Sequence, residues 1–147
     1  MAQEAQRRSV DEITQNPSYA ECVGHHLVYL VATDKLPAAV ALADKCLAWA
    51  LESPQLRESL ELAVGAWACV RRLRANGESQ WPGKLPADCV DAYGESLEAM
   101  DAAFDDFVTH SALRFDQRNE NQHYRGLVDY RLAVGDPAWT PPPPDDE

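Results

Sequence analysis

Apolar side chains recur every three or four positions between residues 56 and 73, a spacing that predicts an amphipathic helix with one buried face. The stripe consists of Leu56, Leu60, Ala63, Val64, Trp67, Val70 and Leu73. Arg57, Glu58 and Glu61 fall outside this stripe and are expected to point to solvent. Ser53-Pro54 is a typical helix start, and Asn76-Gly77 is a typical stop because glycine readily adopts the left-handed cap conformation.

Similar start and stop signals divide the rest of the chain into helices. Asn16-Pro17 predicts a helix to about Thr33, with an inward face of Tyr19, Val23, His26, Leu27 and Leu30. Asp34 is expected to cap a helix over residues 36–52, which is apolar on nearly every side and is therefore expected at the centre of the fold. A long helix is predicted over residues 86–113, and a last one from Asn119 or Gln122 to about Val134.

No stretch shows strand alternation bounded by hairpin turns. We therefore predict an all-α fold, a single-domain bundle of five to six helices joined by short turns. The bundle is expected over residues 9–136, after a short disordered N-terminus at residues 1–8. Residues 137–147 form a proline-rich acidic tail that is expected to be extended or disordered.

The net charge of -11 over 147 residues limits the partners that this chain can bind. Nucleic acid and anionic membrane surfaces are disfavoured, because binding phosphates requires clustered Lys and Arg. A basic protein is the more natural partner. The N-terminus has no apolar signal core, and no run reaches the roughly 18 apolar residues that span a bilayer. Cys22, Cys46, Cys69 and Cys89 have no close-ligand spacing, so we expect reduced thiols and a cytoplasmic location.

The charged residues on the polar face of the predicted helix over residues 86–113 are all acidic. These acids are Asp88, Asp91, Glu95, Glu98, Asp101, Asp105 and Asp106. On a continuous helix they would fall within an arc of roughly 140°, and no Lys, Arg or His lies between Lys84 and His110. Like charges three or four residues apart destabilise a helix. The face is therefore either solvated, neutralised by arginines at 71–74 or 114–131, or a docking surface for a basic protein.

Two tryptophans are candidate anchors for such a partner. Trp81 lies in a loop rich in proline and glycine, and Trp139 precedes the proline tail. Exposed tryptophan is enriched at binding hot spots. The alternative is that both side chains fold back and cover the ends of the bundle.

The sequence contains only fragments of a metal-binding pattern. Glu21 and His25 share a helix face, as do Asp106 and His110, and Glu120 with His123 forms a single Glu-x-x-His pair. Helical di-iron proteins carry two such pairs. We therefore predict no metal and no cofactor, with Glu21, His25, Glu120 and His123 as weak candidate ligands. No nucleophile, phosphate-binding or dinucleotide-binding motif occurs, so we predict no catalytic residues.

Three functional hypotheses follow. The first is a non-enzymatic acidic binding module, such as an adaptor, small chaperone, inhibitor or immunity-type protein, which binds a basic partner through the helix over residues 86–113. The second is a metal-dependent helical enzyme or metal carrier. The third is a self-associating structural subunit in which the apolar helix over residues 36–52 faces a second copy of the chain.

Overall fold

The computed structural model describes residues 19–53, 55–119 and 123–141, and it confirms the all-α fold. In chain order the helices are α1 (Ala20–Ala32), α2 (Leu36–Cys46), α3 (Trp49–Glu52), α4 (Leu56–Ala75), α5 (Ala87–Tyr93), α6 (Leu97–Asn119) and α7 (His123–Leu132), with a 3-10 turn at Ala133–Gly135. No helix within the described ranges is both long enough and apolar enough to cross a membrane. The N-terminus predicted to be flexible, the Asn16-Pro17 start and tail residues 142–147 lie outside the described residues.

Helix α4 is the central element of the fold. It packs against α1, α2, α3, α6 and α7, and every residue from 59 to 70 is buried. Its end matches the prediction, since Gly77 has a φ of 91° and the Gly77 and Glu78 amides donate to the carbonyls of Arg74 and Leu73. The prediction of a central helix over residues 36–52 is wrong. That segment breaks after Cys46 into α2 and α3, and Pro37, Ala38 and Ala41 are exposed.

Helices α1 and α4 approach each other closely where two glycines meet. A Cβ at Gly24 would lie 2.2 Å from the Glu61 carbonyl oxygen, and one at Gly65 would lie 2.4 Å from the Gly24 carbonyl oxygen. The two backbones are therefore in direct contact, which no larger residue would permit. This approach brings the polar side chains of α1 over Glu61.

The long helix predicted over residues 86–113 is instead two helices. Gly94 has a φ of 88° and ends α5. The loop at residues 79–81 then pairs with residues 95–97: the Trp81 amide donates to the Glu95 carbonyl, and the Leu97 amide donates to the Ser79 carbonyl. Ser96 caps α6 by accepting a hydrogen bond from the Ala99 amide at 3.1 Å. The second helix continues to Asn119, beyond the predicted end at Leu113.

The carboxylate of Asp116, which lies on α6, caps the first turn of α7. Asp116 is 2% exposed, and its two oxygens accept hydrogen bonds from the Tyr124 and Arg125 amides at 2.8 and 3.1 Å. These amides belong to the first turn of α7, where donors lack partners within the helix. The Phe115 and Tyr124 rings stack at 5.1 Å beside this junction. Specific contacts thus join the first turn of α7 to the last turns of α6.

Two local predictions near α1 are also wrong. Tyr19 is 44% exposed instead of facing inward, because α1 begins only at Ala20. Asp34 does not cap α2: it adopts a positive φ of 58°, and Lys35 occupies the capping position without a side-chain hydrogen bond. The Asp34 carboxylate instead lies 3.6 Å from the Arg72 guanidinium.

Candidate functional site

Four of the seven acids of the predicted polar face form an exposed group, here called the acidic segment. It comprises Asp88, Asp91, Glu95 and Glu98, on α5, the connection and the first turn of α6. No ion pair or side-chain hydrogen bond to any of them occurs among the described residues. The break at Gly94 means that they do not lie on one continuous helix face. No Lys or Arg occurs from residue 85 to residue 113, so the segment carries uncompensated negative charge.

The other three acids of the predicted face have partners. Asp101 accepts hydrogen bonds from the Trp67 indole at 2.6 Å and from the Arg74 guanidinium at 2.5 Å. Asp105 accepts one from the Thr109 hydroxyl at 2.9 Å, and Asp106 lies 3.2 Å from His110. Asp101 is therefore a structural residue that joins α6 to α4.

The two tryptophans proposed as anchors pack against the core. Trp81 is 8% exposed, and its indole donates a hydrogen bond of 2.7 Å to Asp44. Asp44 also accepts the Lys84 amide, so the loop is fixed against α2. Trp139 is half-buried and packs against the core. Trp81 thus folds back against the core, as the alternative interpretation predicted, and the expectation of an exposed anchor at this position is wrong.

The burial of Glu61 differs most from the sequence-based expectation. It was expected at the surface, yet it is 1% exposed and contacts two neighbouring helices. Tyr124 donates its hydroxyl to Oε1 at 2.7 Å, Arg131 donates to Oε2, and His25 Nε2 lies 3.2 Å from Oε2. A signal was available, because Glu61 is the single charged residue in the run from 60 to 70. A lone charge in such a run indicates a buried, paired group.

These contacts determine the charge state of Glu61. Burial by itself raises the pKa of this carboxyl, but the hydrogen bonds from Arg131 and Tyr124 and the nearby positive charge outweigh burial. The pKa of Glu61 therefore lies below its ordinary value. Burial lowers the pKa of Arg131, but the contact with Glu61 more than reverses this effect and raises it. The pair is ionised in the folded protein.

The same cluster contains two of the four weak metal candidates. Ligand atoms of Glu21, His25 and Glu61 lie within 4.8 Å of one another. However, both oxygens of Glu61 already accept hydrogen bonds from α7, and the cation beside them is Arg131. A metal ion would have to displace that guanidinium, so the donor set does not suit a metal. His123 is exposed at the start of α7, and Glu120 lies outside the described residues.

A groove lies between α4, α6 and α7. Its wider, polar part has a volume of about 520 Å³ and is lined by Trp67, Arg71, Arg74, Asp101, Asp105, Thr109, Asp129 and Leu132. A narrower part of about 140 Å³ is lined by Trp67, Val108, Thr109, Ala112, Arg125, Val128, Asp129 and Leu132. Four residues line both parts, so the two parts adjoin each other, and together they are here called the groove. The sequence alone did not indicate this site, since its residues come from three separate segments.

Comparison of the chain with protein-family models, with curated proteins and with solved structures finds no match.

Proposed function

We propose that this protein is a non-enzymatic binding module for a basic protein partner, and that the acidic segment is its main electrostatic contact. The observation that carries the proposal is the state of Asp88, Asp91, Glu95 and Glu98. These side chains are exposed, lack an ion pair in the described part of the chain, and lie in a stretch without Lys or Arg.

The four carboxylates of the acidic segment have the same charge and repel one another. Carboxylates placed near one another without counterions destabilise the folded chain, and this cost is removed when cations approach. The net charge of -11 adds a long-range field that steers a basic partner toward the protein. Asp101 is not part of this contact, because Trp67 and Arg74 already occupy it.

The test compares two variants that carry the same change in charge. Asp91→Asn with Glu98→Gln removes two of the four charges of the acidic segment. Asp34→Asn with Asp106→Asn removes two exposed charges outside it, in the turn between α1 and α2 and in the middle of α6. Partners captured from native lysate at low salt are purified, and their affinities for both variants are measured at increasing salt.

We expect a basic partner whose affinity falls as the salt concentration rises, because salt screens the charges. The Debye length is about 10 Å at 0.1 M, so exposed charges farther apart than this are largely screened from one another. Asp91→Asn/Glu98→Gln should weaken binding several-fold, and Asp34→Asn/Asp106→Asn should weaken it far less. Equal weakening by both variants would show that only net charge matters and would refute the acidic segment as the contact. Binding that is unchanged by salt would refute the electrostatic proposal itself.

We also infer a reducing compartment, the cytoplasm, from the cysteines. All four are free thiols and three are buried. Burial raises the pKa of Cys46 and of Cys89 to about 11, which keeps these thiols protonated and unreactive.

A further inference from the structure

The groove between α4, α6 and α7 combines an apolar end with a charged end. The apolar end, of about 140 Å³, has walls of Trp67, Val108, Ala112, Val128 and Leu132. An apolar cavity of roughly 150 Å³ in another protein holds one benzene molecule. The apolar end therefore matches one aromatic ring or a branched aliphatic side chain.

The charged end keeps a net negative charge when the groups that are already ion-paired are left out of the count. Arg74 is paired with Asp101, and Arg125 is paired with Asp116 at 3.2 Å. Asp105, Asp129 and Arg71 remain. Asp105 accepts a hydrogen bond from Thr109, whereas Asp129 and Arg71 make no ion pair within the described ranges. Two carboxylates thus face one guanidinium, in a protein whose whole field is negative.

Asp129 lines both parts of the groove, as do Trp67, Thr109 and Leu132. A ligand with its ring in the apolar end would therefore have this carboxylate within reach of its polar end. A cation at that position would be attracted by Asp129 and Asp105, and an anion would be repelled by them.

We infer that the groove binds a segment of the basic partner that presents one apolar ring next to a cationic group. The ring enters the apolar end beside Ala112 and Val128, and the cation lies between Asp105 and Asp129. This inference rests on the proposed function, because it specifies the chemistry of the same basic partner at a second contact. The groove supplies apolar burial, which the acidic segment lacks.

The first test uses two probes with the same ring and opposite charge, phenethylammonium and phenylacetate. Each is titrated into the full-length protein at low salt, and backbone amide NMR shifts are followed. We expect phenethylammonium to shift amides of residues 108–112 and 128–132, with weak affinity because the probe is small. Phenylacetate should bind at least several-fold more weakly. Equal binding of both probes, or no shifts in the groove with either, would overturn the inference.

Two variants examine the two ends of the groove separately. Ala112→Leu fills the apolar end and should abolish the shifts, provided that its unfolding midpoint shows a folded protein. Asp105→Asn with Asp129→Asn removes both carboxylate charges and keeps every apolar side chain of the groove. It should reduce the preference for phenethylammonium over phenylacetate, whereas Glu52→Gln/Glu78→Gln should preserve it. If the Asp105→Asn/Asp129→Asn variant retains the full preference, the cation site is refuted even if Ala112→Leu does not fold.

Failure of this inference can be distinguished from failure of the proposed function. A partner that is lost with Asp91→Asn/Glu98→Gln, but is neither weakened by Asp105→Asn/Asp129→Asn nor displaced by phenethylammonium, would refute the groove as a contact and leave the acidic segment supported. Conversely, the groove could bind phenethylammonium while Asp91→Asn/Glu98→Gln leaves partner affinity unchanged. That result would refute the proposed function and would still support a groove that binds a ring next to a cation.

Discussion

The carboxylate of Glu61 on α4 and the guanidinium of Arg131 on α7 form a buried ion pair across 70 positions of sequence. Their side chains are 1% and 17% exposed. Tyr124, on the same helix as Arg131, donates to the other carboxylate oxygen. Two side chains of α7 therefore converge on one buried acid, and this acid fastens α7 to the centre of the fold.

Glu61→Gln should destabilise the protein by about 3 kcal/mol, because removing one partner of a buried pair leaves the other charge uncompensated. Glu98→Gln is the matched control. Glu98 is exposed and has no ion pair in the described part of the chain, so its change should stay within about 0.5 kcal/mol. Urea unfolding of both variants measures the difference. Similar midpoints would mean that the Glu61–Arg131 pair contributes nothing net.

The contribution of Glu61 should depend on pH with a defined sign. Since its pKa is lower in the folded protein than its ordinary value, the ionised pair stabilises the fold fully above the unfolded value of about 4.3. This stabilisation is lost as the pH falls through the folded pKa. The difference in stability between the parent protein and Glu61→Gln should therefore be largest near neutral pH and shrink below about pH 4. Asp116 has a lowered pKa too, but it is present in both proteins and cancels in the comparison. A difference that stays constant into acid would contradict this assignment.

Trp81→Phe should reduce stability by about 2 kcal/mol, because the indole N–H that binds the Asp44 carboxylate is lost while the ring remains buried. Trp139→Phe is the control, since Trp139 is half-buried and its indole makes no hydrogen bond within the described ranges. Thermal unfolding should show a clearly larger loss for Trp81→Phe, with unchanged partner affinity of the folded protein. A variant with the parent's stability and weakened binding would restore Trp81 as an anchor.

Two glycine-to-alanine changes should have opposite effects. Gly94 has φ 88° and ψ 178°, a backbone region essentially restricted to glycine, and a Cβ there would lie 2.9 Å from the Ala99 Cβ. Gly94→Ala should cost on the order of 1–3 kcal/mol. Gly126 lies within α7 with no atom near its added Cβ, so Gly126→Ala should gain up to about 1 kcal/mol. Thermal unfolding measures the change in stability of both variants. Equal effects of the two substitutions would mean that Gly94 does not determine the break between α5 and α6.

Sequence reasoning predicted the parts of the fold that depend on near neighbours. The helical spacing of α4 and its stop at Gly77 involve residues a few positions apart, and both are confirmed. It also identified the stretch without Lys or Arg that contains the acidic segment, because charge is read directly from the residues. Whether that segment binds a partner stays a prediction.

The wrong predictions share a cause, which is that they depend on residues far away in the chain. Residues 86–113 have the pattern of one helix, but pairing of residues 79–81 with 95–97 requires the turn at Gly94. Glu61 lies off the main stripe of α4, yet Arg131 and Tyr124 make its burial favourable by satisfying its charge.

The sequence by itself therefore determined the helical class, the period of its central helix and the location of its excess charge. The tertiary structure decided which charged groups are buried and paired, where the long acidic helix breaks, and that three helices enclose a groove. Helical period and caps arise from hydrogen bonds between residues a few positions apart, whereas burial of a charge depends on a partner that only folding brings within reach.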